Sequence, residues 1–318
     1  MGKKPVLAIG YPTVLLCHHL ALTRPSQVRD GEIYVHAGQS IQAAIDSAKP
    51  GTKIVVEAGT YTEQLTINKK GISLVGDGAI LIPPTVVIQN TCTDLTGDGT
   101  GASICVTGSG IELAPFEVEH RQVLSVAQPV KDISITGFQV NGFDGENIAV
   151  VGDTVVSIYI NNLAGAQILN NHVSGYSIAR CIQTSGSEIA FNDVSNCCVG
   201  AFIDPGIDGV QVIHNYIGSM NPKCTAQAAL GVTVGVTVWG AFNSIVESNF
   251  IQNQHASGMA AGISVVDGFD VGPEFIATGN RVTNNTLFNN DVDMFVNTIG
   301  IGNVISHNQC FTPVALCD

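Results

Sequence analysis

The chain has 318 residues, 45% of them hydrophobic and only 12% charged, which is enough apolar material for a sizeable core and excludes a disordered chain. Its net charge is −13, and after Lys131 the only basic residues are Arg180, Lys223 and Arg281. Without a basic stripe to displace condensed counterions, nucleic acid is excluded as a partner, and a polyanionic substrate would meet repulsion along most of the body.

In chain order, Lys3 and Lys4 precede an apolar stretch from Val6 to Leu22, in the manner of a secretory leader. Residues 1–30 are therefore read as a leader segment and residues 31–318 as one domain. Pro12, His18 and His19 interrupt the stretch, so it is no transmembrane helix, and no other run is long enough to span a bilayer. Removal of the leader takes Cys17 with it and leaves eight cysteines. Cys92 with Cys105, and Cys310 with Cys317, would each close a short loop. Cys181, Cys197, Cys198 and Cys224 fall in consecutive repeats and are candidates to pair between neighbours. Such a framework suits a secreted protein; the alternative is buried free thiols in a reducing compartment. No CxxC pair occurs, which argues against zinc. Asn284-Asn285-Thr286 forms a glycosylation sequon if the chain is exported.

Tyr34-Val35 opens a strand. Ser40 then stands as an N-cap before residues 41–48, where Ile41, Ala44, Ile45 and Ala48 recur at helical spacing, and Pro50-Gly51 ends the helix. Short alternating strands follow at 53–56, 64–67 and 72–75, broken by glycine turns. A short helix ahead of such strands suits the cap of a solenoid, whose end coil would otherwise expose core and strand edges. Residues 83–130 break the rhythm, with a loop between Cys92 and Cys105 and a further irregular stretch flanked by Pro115 and Pro129.

From residue 131 a repeat takes over. The segments ILNNHVSG, IAFNDVSN, VIHNYIGS, VESNFIQN, VTNNTLFN and ISHNQCFT place asparagines at 171, 192, 215, 249, 285 and 308, with Phe138 at the matching place in ISITGFQV. Three of the five intervals lie near 22 residues, and the other two carry insertions. Each repeat is one coil of short strands, coils stack about 4.8 Å apart, and stacked asparagines hydrogen-bond along the axis at a bend. The expected fold is all-β, a right-handed parallel β-helix with an N-terminal capping helix. The competing antiparallel sandwich does not require one motif to return in register.

The stretch SIQAAIDSAKPGTKIVVEAGTYTEQLTINKKGISLVGDG (40–78) resembles the N-terminal cap and first coils of pectin-lyase-fold proteins, and its Gly59-Thr60-Tyr61-Thr62-Glu63 is similar to the GxYxE segment of pectin methylesterases. The asparagine repeats resemble those of secreted parallel β-helix and NosD-like proteins. The resemblance covers about residues 33–312 and implies the fold; it does not carry the active-site motifs of pectin methylesterases, polygalacturonases or pectate lyases. Phe202-Ile203-Asp204-Pro205-Gly206 resembles the YGxDPH motif of mannuronan epimerases, with Gly206 in the place of the histidine, so Asp204 alone is carried over.

Stacking the repeats puts residues one place after the asparagine on a shared face: His172, Asp193, Tyr216 and Phe250. Residues one place before it, Asn170, Phe191 and His214, lie alongside. The expected catalytic patch is His172 as general base, Asp193 as its orienter and Tyr216 as proton donor, with His214 beside them. The alternative is a polar solvated face. Arg180, nearly the only cation of the central coils, would orient a substrate carboxylate or pair with Glu188 or Asp204. The acidic residues Asp204, Asp208, Asp267, Asp270, Glu274, Asp291 and Asp293 could act as paired carboxylates or bind calcium, or serve as turn residues. No cofactor motif is present, and no metal site is assigned.

Three functions remain open. The first is a secreted carbohydrate-active protein, a lyase, hydrolase or epimerase, with an oligosaccharide along the helix face. The second is a cyclase or isomerase for a small apolar molecule, held under the insertions at 218–243 and 254–280 and lined by Trp239, Phe242, Met259 and Phe269. The third is a non-catalytic binding or surface protein.

Overall fold

The computed structural model describes all residues except 1–26, 30, 95–100, 116–120, 122, 143–153, 162–164, 177, 223 and 225–232, with strands 27–29 and 154–161 described by backbone alone. The leader segment lies outside the described residues except for 27–29.

The chain winds through three long sheets, laying one short strand in each per coil. A single coil shows the path: Glu188–Ala190 in the first sheet, Asp193–Ser195 in the second, Val199–Ile203 in the third. Ladders within the sheets are parallel, apart from the edge pair Gln27–Arg29 with Glu32–Val35. This is a right-handed parallel β-helix.

Alternation fixes what faces the bore. In the first sheet one register column reads Ile33, Ile54, Leu74, Ile135, Ile168, Ile189, Val212, Val246, Val282 and Ile305. In the second, Tyr61, Leu81, Val140, Val173, Val194, Ile217, Ile251 and Leu287 do the same. Apart from half-buried Ile305 these residues are buried in one continuous core. A one-residue slip would turn every column to solvent, so the register is strongly specified.

The asparagine ladder holds the bend between the first and second sheets. Asn192 Oδ1 accepts from the Asn171 backbone N–H at 2.9 Å, Asn215 Oδ1 from Asn192 at 3.0 Å, Asn249 Oδ1 from Asn215 at 2.9 Å, Asn285 Oδ1 from Asn249 at 3.0 Å and Asn308 Oδ1 from Asn285 at 3.0 Å. The ladder starts where the repeats imply, at the N–H of Phe138, which donates to Asn171 Oδ1. Each Nδ2 also donates to a backbone carbonyl, so buried polar groups at the bend are satisfied. Tight bending requires left-handed backbone just before each asparagine. Asn170, Phe191, His214, Ser248, Asn284 and His307 all have φ near +55°, a conformation that costs a side-chain-bearing residue about 1–2 kcal/mol and that the ladder offsets. A second, shorter ladder runs Ser244, Asn280, Asn303 at the bend between the third and first sheets.

The helix forms as the spacing predicts, over Ile41–Ser47, with Ser40 Oγ accepting from Ala43 N–H and Ile41, Ala44 and Ile45 packed into the core. Glu63, just after the strand Gly59–Thr62, closes the same turn, accepting from the N–H groups of Ile41 and Gln42 and from the Ser40 hydroxyl. The Gly59–Glu63 segment therefore serves to fasten the helix start.

Three disulfides form: Cys92–Cys105, Cys198–Cys224 and Cys310–Cys317. Cys181 and Cys197 correct the expected set, because both are buried and neither is in a disulfide. The reason is alternation. Cys197 packs in the solenoid core, while Cys198 next to it packs in a separate cluster with Cys224, Met220, Ala256 and Ala260.

The irregular 83–130 stretch contains the third-sheet strand Gly101–Thr107 and an antiparallel hairpin of Ser109–Leu113 with Val123–Gln128. A second apolar layer gathers Cys105, Cys181, Val199, Phe202, Val234, Trp239 and Ala261 of the third sheet, with Cys92, Leu113 and Val271 packed against them. The third sheet is thus covered on its outer side, and the second sheet is open.

Candidate functional site

The outward face of the second sheet carries the residues that follow each ladder asparagine. Strand pairing sets Gln139, His172, Asp193, Tyr216, Phe250 and Thr286 in one column, one per coil. His172 and Asp193 sit opposite each other on neighbouring parallel strands, with Nδ1 3.1 Å from Asp193 Oδ2 and both side chains about half exposed. A carboxylate on Nδ1 fixes the tautomer in which Nε2 carries the lone pair, leaving Nε2 to act as a base.

Tyr216 follows in the next coil, its ring stacked on Phe250 at 5.7 Å between centroids and 8° between planes. Gln252 Nε2 donates to the Tyr216 hydroxyl at 2.6 Å, so the phenolic proton is left to point outward. His214 lies alongside in the left-handed turn row, stacked on Phe191 at 5.1 Å. The sheet therefore brings His172, Asp193 and Tyr216 into one exposed column with His214 flanking it, as the stacked repeats imply. The rings face one another along the axis, so their edges, not their faces, meet solvent.

Arg180 corrects the expectation. It stands not on this face but in a column shared with Ile104 and Ile158, one position before Cys181, whose partner Phe202 follows core residue Ala201. It is 1% exposed and makes no ion pair with Glu188 or Asp204. Asp204 is also buried, at the end of its third-sheet strand, where the Cys181 thiol approaches its carboxylate at 3.8 Å. The four apolar residues proposed to line a pocket are divided: Trp239 is buried edge-on to Phe202, Phe242 is half-buried, and Met259 and Phe269 project into solvent. Part of the 218–243 insertion lies outside the described residues.

Three of the acidic residues are spent singly on turns. Asp267 accepts from the N–H groups of Ala277 and Ile299 and the Thr298 hydroxyl, Asp293 from Asn290 and the N–H groups of Phe311 and Thr312, and Asp208 from Asn243. Among the described residues no three His, Cys, Asp or Glu side chains are grouped to hold a metal ion.

One pair is absent from the sequence reading. His255 Nδ1 lies 2.9 Å from Asp291 Oδ1, and Asp291 Oδ2 accepts from the N–H groups of Ala256 and Ala260. Burial pushes this carboxyl up, but the bonds from His255 and the two backbone groups outweigh it and hold it below its ordinary value. The signal was available: His255 and Asp291 each follow a ladder asparagine by six places, so they are one coil apart.

No protein-family model matches the chain, and a search of curated proteins finds no relative. Solved structures do match. XylC in complex with xylose aligns over 87% of this chain and 66% of its own, at 12% identity and TM-score 0.56. ORF18 of Geobacillus virus E2 aligns over 84% and 56%, at 13% identity and TM-score 0.47. Pectin methylesterase PemA from Erwinia chrysanthemi aligns over 90% and 94%, at 12% identity and TM-score 0.47. The shared fold is the parallel β-helix. The chain spans less than two thirds of the first two structures, and at these identities the likeness concerns fold alone.

Proposed function

We propose that this β-helix is a secreted carbohydrate-active protein that takes a neutral oligosaccharide along the open face of its second sheet. The observation that carries the reading is the His172–Asp193 pair, exposed on a regular sheet face with Tyr216 in the next coil. In this reading His172 Nε2 takes a proton from a water whose oxygen bonds to the anomeric carbon, Asp193 holds the ring and stabilises the imidazolium that forms, and Tyr216 gives its proton to the glycosidic oxygen as its bond to that carbon breaks, the imidazolium then restoring the Tyr216 proton. The column runs parallel to the solenoid axis, so an extended chain of sugars meets one side chain per coil. Ser174, Ser195 and Gln252 in the adjacent outward column offer hydroxyl and amide groups to a polyhydroxyl ligand. The net charge of −13 favours a neutral glycan over an acidic one. XylC, similar in fold, is described with bound xylose. Three disulfides are in keeping with export to an oxidising compartment.

The test is a panel of neutral and acidic oligosaccharides incubated with the protein and read by mass spectrometry. Cleavage, epimerisation or retention of a neutral member is the expected result; an inert panel removes the reading. A product whose formation survives Asp193→Asn unchanged would leave the glycan assignment standing and remove the pair as its machinery.

A further inference from the structure

The two ends of the solenoid are finished differently. At the first coils, the helix Ile41–Ser47 turns Ile41, Ala44 and Ile45 to the bore and Ala43, Asp46 and Ser47 to solvent, with Lys49 exposed just beyond. An end coil needs such a polar outer face to stay soluble. At the last coil, residues 310–318 plug the bore. The Cys310–Cys317 disulfide closes this segment, Leu316 packs on the core, and the Asp318 N–H donates to the Asn308 carbonyl. Apart from Thr312 and Asp318, what the plug shows to solvent is apolar: Phe311, Pro313, Val314 and Ala315, with Val314 82% exposed.

The last strand of each sheet changes character in the same direction. In an outward column of the first sheet Gln167, Glu188, Gln211, Ile245 and Arg281 are followed by Val304. On the second sheet Phe288 follows Gln252, and on the third Phe295 follows Thr237 and Ser264. All three are about half exposed, and Ile301, on the bend that leads into the last strand, is 80% exposed. From Met294 to Cys317 the chain carries no Asp, Glu, Lys or Arg. Asp267 and Asp293, which reach this coil, accept from its backbone N–H groups. The strand edge is open as well. Val304–Ser306 ends the eleven-stranded sheet. Alternate residues of a parallel strand bond to opposite sides. The Val304 N–H donates back to the Asn280 carbonyl, so the N–H and carbonyl of Ile305 point away from the sheet, and no described residue bonds to them.

An uncharged apolar end with a bare strand edge has the character of an interface. Charge selects what covers it. Two chains at −13 each repel over most of their surfaces, and this end is where a second copy meets little like charge. A two-fold axis across the end also sets one Val304–Ser306 strand antiparallel to its mate, so each edge offers the donors and acceptors the other lacks.

We propose that two copies of this chain associate end to end through the last coil, about a two-fold axis perpendicular to the solenoid axis, burying Ile301, Val304, Phe311 and Val314 of each. The contact is independent of the glycan reading of the second sheet, whose His172–Asp193 pair lies several coils away.

The test is sedimentation velocity of the full chain over a dilution series, at low and at high salt. The expected result is a monomer–dimer equilibrium that tightens with salt, because salt screens the repulsion between the two bodies and leaves the apolar contact in place. Ile301→Asp should raise the dissociation constant about 100-fold or more while keeping the β-sheet circular dichroism spectrum, since association would bury an unpaired carboxylate. Leu124→Asp, at an exposed position on the hairpin of Ser109–Leu113 with Val123–Gln128, should leave the constant unchanged. A wild type that stays monomeric at every concentration and salt overturns the proposal, as does a dimer that Ile301→Asp leaves intact or that Leu124→Asp weakens equally. Assemblies that grow without limit would mean head-to-tail stacking and would overturn the two-fold arrangement. Should Ile301→Asp not fold, hydrogen exchange of the Ile305 amide in wild type decides. Protection that rises with protein concentration supports the contact, and protection independent of concentration contradicts it.

Discussion

Two outer faces of the same solenoid differ in what lies above them. The second sheet shows solvent a column of Gln139, His172, Asp193, Tyr216 and Phe250. The third sheet turns outward Cys105, Cys181, Phe202 and Val234, and covers them with residues from the 83–113 and 267–276 segments. Both arise from one coil repeated in register. The difference teaches that in a β-helix the bore is set by the repeat and the outer faces by what the loops do. Where loops fold back, outward residues become a second core; where bends are two residues long, they remain a surface on which chemistry can be displayed.

The comparison makes unequal demands on stability. Trp239→Ala removes a buried ring packed edge-on to Phe202 and should cost about 3–5 kcal/mol, whereas Phe250→Ala, on the open face, should cost about 1 kcal/mol. Urea denaturation of the two variants checks this; equal losses would mean that the third-sheet layer is not a core. Asn215→Ala tests the bend that both faces depend on. It strands the N–H of Asn192 and the carbonyl of Ile189, at about 2–3 kcal/mol in the same assay.

The folded-state thiol of Cys197 gives a pH signature. Its unfolded value lies near 8.5, its folded value is about 11, so the unfolded chain releases the proton first. Stability is then complete below about pH 8.5 and falls as pH rises. Burial lowers Arg180 to about 10, which opposes this trend above that pH. The window is therefore pH 8.5 to 10, where wild type should lose about 1–2 kcal/mol relative to Cys197→Ala. A flat difference would place that thiol in water. The smallest effect concerns Asp291. Its carboxyl is held below the ordinary value, so its contribution is present above about pH 4 and lost as pH falls through the lowered folded value. Asp291→Asn should remove less than about 1 kcal/mol at pH 7 and flatten the acid limb of the stability profile.

The fold was legible because its signals are periodic. Asparagines from 171 to 308 mark a bend that needs the same hydrogen bonds in every coil, and the apolar residue two places on marks the bore. Helix α1 at Ile41–Ser47 announced itself through Ser40 and the spacing of Ile41, Ala44 and Ile45. The same stacking gave the His172–Asp193–Tyr216 column. What was not legible lay where periodicity carries no sign. Counting places a residue in a coil but says nothing of in or out where a strand turns, so the sequence offers Arg180 as a substrate or ion-pair contact and Cys197 as a disulfide candidate. The His255–Asp291 pair was hidden by insertions that stretch one coil to 36 residues. The cover over the third sheet depends on loops without a repeat.

The central claim, that the open face of the second sheet acts on a neutral glycan through His172 and Asp193, is tested most directly by turnover of the responsive oligosaccharide in wild type and His172→Ala side by side. The expected result is a loss of about 10²–10⁴-fold in kcat with an unchanged unfolding midpoint. Equal turnover in the two proteins would contradict it.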